Sequence, residues 1–550
     1  MLRCLHSHEQ SLPMFTSSQA LTCRPDLSTG RLALAAMLCL SAPAQGLGYA
    51  GYIVTDLGKP LLSEVTGINN RGQVIGNAVS NGGFTGIYTS NAWLYSAGAW
   101  GQLTPPAGFE SVFASGINDS GAITGALASC ASAFSCSQAF VFSNGVFTPL
   151  GVLVGNLPGT SAGAAINSAG TVAGNSQPAP GPWEYANGVV TQLIFPGSPE
   201  SIVSGINANG VIAGTTFVSP PPMVDAPSTA SAFVYDHGTV TSIGTLGHPA
   251  LPVVSDSYAN AINASGQVVG QSTSDSGDEH AFLYTNGTFT DLGTLGGRQS
   301  AATAVNVAGQ AVGDSALSDG VHYSRFVYAD GQIRDLASLI DPSTGDWAVL
   351  SVGGINDAGQ IPVIACMPGD CHVLMLSPAT TVVEYQNTQD FPSSPGGHFF
   401  YTANPGEQAL VDSGAEGHFV RTGRTFNSGG PHPLCRFYGS VSPGPNSHFY
   451  TISDAECDGL IAMQQTPIPA NTQQWNYEGV AFTGTPPQGD GTCPAGTTAV
   501  YRAYNNAYPL SGPKNPWDSA HRLSTNHTDI QQLVTQFGWR DEGVVFCAPI

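Results

Sequence analysis

Seven copies of one short motif constrain this chain more than any other feature. They are "GINNRGQVIG" (67–76), "GINDSGAITG" (116–125), "AINSAGTVAG" (165–174), "GINANGVIAG" (205–214), "AINASGQVVG" (261–270), "AVNVAGQAVG" (304–313) and "GINDAGQIPV" (354–363). Their asparagines are Asn69, Asn118, Asn167, Asn207, Asn263, Asn306 and Asn356, a mean step of (356 − 69)/6, or about 48 residues. That period is of the size found in repeats that stack as whole supersecondary units. In each copy a run of small and β-branched residues ends at the Asn, and a Gly follows three positions later. The pairing is a tight-turn signature, because the Asn side chain bonds the turn's own N–H groups and Gly tolerates positive φ. The repeated Asn therefore reads as a turn residue; a ring of ligands is the competing reading of the same seven positions.

Around the motif each repeat reads as four strands. One ends at the Asn and a second follows the turn ("QVVG"). After a variable loop comes a third, "NAWLY" (91–95), "QAFVF" (138–142), "SAFVY" (231–235), "HAFLY" (280–284) or "SRFVY" (324–328). A short turn such as "TNG" (285–287) leads to a fourth, "TFTDLGTL" (288–295). Small, aromatic and β-branched residues in alternation suit sheets covered on both faces. Four short strands per repeat with no helical spacer predict a β-propeller; an open β-solenoid is the alternative. The ends decide between them. The seventh repeat stops at "HVLMLSP" (372–378) without a fourth strand, and "YIVTDLG" (52–58) is a fourth strand without a repeat before it. The second completing the first would close a seven-bladed ring and remove both exposed edges.

The run "ANAINASGQVVGQS…HAFLYTNGTFTDLGTLGG" (259–297) resembles the extracellular HAF-repeat proteins of bacteria, and the resemblance extends over about 50–378. The literal triplet occurs once, at His280-Ala281-Phe282. Membership would imply export and a propeller-like repeat, and no particular reaction.

Export is also predicted from the N-terminus. "RLALAAMLCLSAPAQG" (31–46) combines a basic residue, an apolar run and a small-residue Ala42-Pro43-Ala44 exit, the parts of a secretory signal. We therefore read 1–44 as leader, with Met14 an alternative start; a short buried apolar stretch is the other reading. The run is too short to span a bilayer, and no second candidate span follows. Cysteine usage fits an oxidising compartment. Eight of the eleven lie beyond the leader: Cys130, Cys136, Cys366, Cys371, Cys435, Cys457, Cys493 and Cys547. Neighbours in that series are candidate pairs, although spacing alone does not determine connectivity. With 15 Lys and Arg against 37 Asp and Glu, the chain lacks the basic patches that bind nucleic acid or anionic lipid.

Beyond residue 378 a second repeat takes over, and 379–550 reads as a three-lobed α+β domain. "VVEYQN" (382–387), "LCRFYG" (434–439) and "VYRAYN" (500–505) open the lobes. "HFFYT" (398–402), "HFYT" (448–451) and "HRLST" (521–525) follow, and "FVRTGRTF" (419–426), "WNYEGVAF" (475–482) and "WRDEGVVF" (539–546) close them. A short helix is expected before each closing strand, as in "TDIQQLVTQFG" (528–538) with Gly538 at its C-cap. This stretch resembles a secreted bacterial domain of unknown function that carries HFYT and EGVAF motifs. Lobe three departs from the pattern at Leu523.

His398, Tyr401, Arg436, Tyr438, His448, Tyr450, Arg502, Tyr504 and His521 are the candidate ligand residues. Aromatic faces and polar groups together suit sugars; internal hydrogen bonds holding the lobes together are the alternative use of the same side chains. No catalytic or metal motif is present, and no cofactor is expected. Glu110, Glu184, Asp275, Asp278 and Glu279 have no visible carboxylate partner of the kind a glycosidase needs. "SDSGDEH" (274–280) reads as a solvated loop more readily than as a calcium site. The expected function is an exported, non-enzymatic binding or scaffold protein directed at a glycan or cell-surface component. A secreted polysaccharide hydrolase or lyase working in the propeller funnel is the alternative, and a purely structural surface protein is the third.

Overall fold

The structure, a computed structural model, describes residues 51–60, 62–81, 88–129, 137–150, 160–177, 181–195, 200–218, 229–248, 255–340, 345–391, 394–439, 447–464, 475–507 and 519–550. The leader and the Cys130/Cys136 pair lie outside the described residues. No helix among them is long and apolar enough to cross a membrane.

Between Tyr52 and Pro378 the described residues build five four-stranded sheets and one eight-stranded sheet. The larger sheet is two four-stranded units joined by a single parallel pair, Glu279 beside Gln299. Each unit is an antiparallel meander, in which Ser257–Ile262, Val268–Thr273, Glu279–Thr285 and Thr288–Gly293 lie side by side in chain order. The last hairpin turns on Asn286 and Gly287, both at positive φ (49° and 86°), the geometry that matches the twist of the flanking strands. Apolar side chains from one repeat meet those of the next: Ala213, Ala232 and Ile243 pack with Ala259, Val268 and Phe282. The aromatic of the third strand fills these layers, and a small neighbour makes room for it. A Cβ on Gly214 would come within 2.7 Å of the Phe233 ring. The region is thus mainly β and propeller-like.

The motif asparagines explain how the repeats hold together. Asn118 accepts from the N–H groups of Ser120 (3.1 Å) and Ala122 (2.9 Å), fixing its own turn, while its Nδ2 donates to the carbonyl of Asn167 at 2.8 Å. The same donation runs from Asn69 to Asn118, Asn167 to Asn207, Asn263 to Asn306, Asn306 to Asn356 and Asn356 to Asn69. The last link joins the seventh copy of the motif to the first.

The two ends meet in the sheet as well. Tyr52–Asp56 pairs antiparallel with Asp370–Pro378, Tyr52 opposite Pro378 and Asp56 opposite Leu374. This is the pairing predicted from the orphan strand. It extends to side chains. In the fifth repeat His280 bonds Asp291 at 2.9 Å across the third and fourth strands. In the sheet of the seventh motif His372 bonds Asp56 at 2.7 Å, so the N-terminal strand supplies the equivalent aspartate from 316 residues away. The disulfide Cys366–Cys371 staples the adjoining hairpin.

The described residues of the C-terminal region form three three-stranded sheets, each with the opening strand in the centre, and three helices: Pro405–Asp412, Asp454–Gln464 and His527–Phe537. Gly538 caps the third at φ 72°, as the sequence predicts. Disulfides Cys435–Cys457 and Cys493–Cys547 are formed. The sheets share one core, at whose centre Phe426, Phe482 and Phe546 from the three closing strands pack together with ring centroids 5.5, 5.8 and 6.1 Å apart. The domain rests on the Asn-turn side of the repeats. Gln360 and Ser377 both donate to the Gly430 carbonyl, at 2.9 and 2.8 Å, and Arg71 pairs with Asp458.

Candidate functional site

In the C-terminal domain the nominated residues gather at the seams between lobes. At the seam of lobes one and two, Arg436 donates two hydrogen bonds to Glu407 (2.9 and 2.8 Å), lies 2.9 Å from Glu478 of its own lobe and stacks over Phe400. At the seam of lobes two and three, Arg502 pairs with Glu542 at 2.6 Å and stacks over Phe449. The equivalent position in lobe one is Glu384, and there the arrangement is reversed. Arg522 from lobe three occupies the site held elsewhere by Phe400 and Phe449, and donates to both Glu384 oxygens at 3.1 Å. Thr422 replaces the glutamate of the closing strand, and its hydroxyl donates to Glu384 at 2.7 Å. Two cation–π seams and one ion-pair seam therefore use the same pair of positions.

The tyrosines act across the seams too. The Tyr450 hydroxyl accepts from the N–H of Tyr401 and donates to its carbonyl, both at 2.9 Å. Tyr401 accepts from the N–H of Leu523 at 2.8 Å and faces the Leu523 carbonyl at 3.0 Å and Glu384 at 2.8 Å. Burial drives both phenols well above their ordinary range. Leu523 has no hydroxyl to offer lobe two, and the Arg502 guanidinium donates to the Tyr450 carbonyl at 3.2 Å in its place.

The histidines divide. His448 packs edge-on to Phe400 and lies 3.4 Å from Glu478. Tyr438 packs beside it at 5.1 Å. His521 stacks on Tyr504 and meets Phe449; burial, with Arg502 adding to it, pushes its pKa down to about 3. His398 does not match them. Strand pairing puts Phe399 opposite Gln386, where His448 faces Tyr438 and His521 faces Tyr504. "HFFYT" carries one residue more than "HFYT", and in a strand a one-residue offset turns the side chain to the other face. His398 stacks instead on Phe391, centroids 3.7 Å apart. Glu407, Glu478 and Glu542 were not singled out in the sequence. The signal for the third seam was present in it, since Arg gives way to Glu384 in one lobe and Phe to Arg522 in another.

Two hollows lie among the described residues. A notch of about 190 Å³ opens at the seam of lobes three and one over Glu384, Tyr401 and Ser524. A larger cavity of about 590 Å³ lies between the fifth and sixth repeats, lined by Asp278, Glu279, Arg298, Gln299, Asp319 and Tyr323 among others. Of the five acids considered above, Asp278 and Glu279 meet here; Asp275 instead accepts from the His248 N–H at 2.8 Å, and Glu110 and Glu184 belong to other repeats. No group of three or more metal-ligating side chains occurs among the described residues.

A propeller-like stack with a three-lobed domain is thus the class of molecule these features define. Residues 394–549 match a family described as a domain of unknown function, DUF5648. No curated protein matches the chain. Among solved structures it is similar to TolB from Acinetobacter baumannii, at 14% identity over 56% of this chain and 79% of that one, with a TM-score of 0.30. It is also similar to the β-propeller domain of the trilobed protease from Pyrococcus furiosus, at 10% identity over 50% of this chain and 95% of that one, with a TM-score of 0.28. A sialidase from Trypanosoma rangeli follows at 10%, over 60% and 59%, with a TM-score of 0.29. Likenesses this distant carry nothing about activity.

Proposed function

We propose that this chain is an exported, non-enzymatic binding scaffold: a seven-bladed propeller closed by its N-terminal strand and bearing a three-lobed recognition domain. One observation carries the reading. The polar side chains that recur through both repeats are engaged inside the molecule, the asparagines in turns and inter-repeat links, the arginines and buried tyrosines in lobe seams. Positions used in this way build a frame, and recognition falls to the surfaces that differ from repeat to repeat. The three disulfides among the described residues support an oxidising destination, and the Asn356-to-Asn69 link supports ring closure.

A glycan or cell-surface component is the partner class this reading favours. The test is to incubate the intact protein with plant and bacterial polysaccharides while following new reducing ends and unsaturated products. Neither is expected, together with retention of the protein on at least one polysaccharide or cell-wall preparation. Release of either product would overturn the reading in favour of a hydrolase or lyase.

A further inference from the structure

We infer that the cavity between the fifth and sixth repeats is a binding site for a neutral saccharide, which deepens the scaffold reading and rests on it. Its volume of about 590 Å³ falls within the range of small-ligand sites. Its walls come from two repeats: the turn and third strand of the fifth (Asp278, Glu279), the strand entering the sixth (Arg298, Gln299), and the loop and third strand of the sixth (Asp319, Tyr323).

The chemistry of the walls selects the ligand. Asp278 is held by Arg298 at 2.6 Å, a hydrogen bond that keeps its carboxyl below the usual range. Asp319 accepts from the N–H groups of Val321 and His322 and from the His322 ring. These partners already offset the charge of both carboxylates, which weakens their pull on a cation while leaving lone pairs free to accept from hydroxyls. An anion such as a uronate or phosphate would meet three carboxylates against one guanidinium. A neutral polyol suits both sides, because carboxylates accept from its hydroxyls and the guanidinium and amide donate to them. The lip adds an aromatic surface. Tyr323 is 52% exposed and its hydroxyl is tethered to Gln299 at 2.5 Å. An exposed ring held in place next to paired polar groups is the arrangement that takes the C–H face of a sugar.

The experiment titrates the full chain with neutral oligosaccharides (gluco-, xylo-, manno- and chito-series) and, as a contrast, with oligogalacturonate. Binding is followed by calorimetry for the native protein and for Tyr323→Ala and Arg298→Gln. Saturable binding of at least one neutral series is expected, weakened about tenfold or more in Tyr323→Ala and measurably in Arg298→Gln, with urea midpoints unchanged. No neutral series binding to the folded protein, or tighter binding of the acidic oligomer, overturns the inference. Binding that neither variant weakens also overturns it while leaving the scaffold reading intact. New reducing ends in the same mixtures would sink the scaffold reading separately.

Discussion

Single side chains in this molecule often carry two duties, and that doubling makes their loss legible. Asn118 holds its turn through Oδ1 and its neighbour repeat through Nδ2. Asn118→Asp keeps the first and removes the donor, so it should cost about 1 kcal/mol, whereas Asn118→Ala removes both and should cost about 1–3 kcal/mol; urea unfolding of the two variants would separate the duties. The Glu384–Arg522 pair offers a stricter check. Breaking it by Glu384→Gln leaves a partly buried guanidinium short of its counter-charge and should cost about 3 kcal/mol or more. Glu384→Arg combined with Arg522→Phe recreates the pair used at the other seams, and the double variant should be more stable than Glu384→Arg alone. Additive losses would show that the exchange is incidental. His521 sets a pH dependence. Its folded pKa of about 3 lies below the ordinary 6.5, so the unfolded chain takes up the proton first. The stability it contributes is complete above pH 6.5 and declines as the pH falls toward 3, by at most about 1.4 kcal/mol per unit. Unfolding midpoints at pH 7, 6 and 5 should fall for the native protein and fall less for His521→Gln.

Among the elements, the N-terminal strand was the most legible in the sequence. An incomplete last repeat and an unmatched first strand pointed to each other, and the structure sets Thr55 opposite Met375. A Thr55→Cys, Met375→Cys variant should therefore form a disulfide in air, read by a mobility shift on non-reducing gels; free thiols in the folded protein would contradict the pairing. Strand order within each repeat was equally readable, because alternation and turn chemistry are local. Within the C-terminal lobes, element types were readable and side-chain roles were not. Whether Tyr401 points to a ligand or to the next lobe depends on how three sheets pack, which no single strand encodes. The offset of His398 was hidden for a different reason: one extra residue in "HFFYT" leaves the motif recognisable while turning the histidine over. The seam exchange involving Glu384 and Arg522 was written in the sequence, yet its meaning needed the contact between lobes.

For the whole molecule, the sheet that joins the first strand to Asp370–Pro378 is also the one the C-terminal domain meets. Removing residues 50–58 should expose the edge of Asp370–Pro378 and leave His372 without Asp56. We expect soluble aggregation on size-exclusion chromatography rather than a small shift in midpoint, and a monomer of native stability would refute the latch. The C-terminal domain reaches the same place, through Gln360 and Ser377 on Gly430 and with Ile53 beside Gly429. The strand made first among the repeats thus finds its partner only after all seven motifs have been synthesised, and the domain that follows settles on the seam just formed. A chain interrupted before residue 370 has nothing for its opening strand to pair with and no completed sheet on which a domain could sit. The pairing of the first strand with the last thus makes folding of this sheet depend on residues about 320 positions apart in the chain.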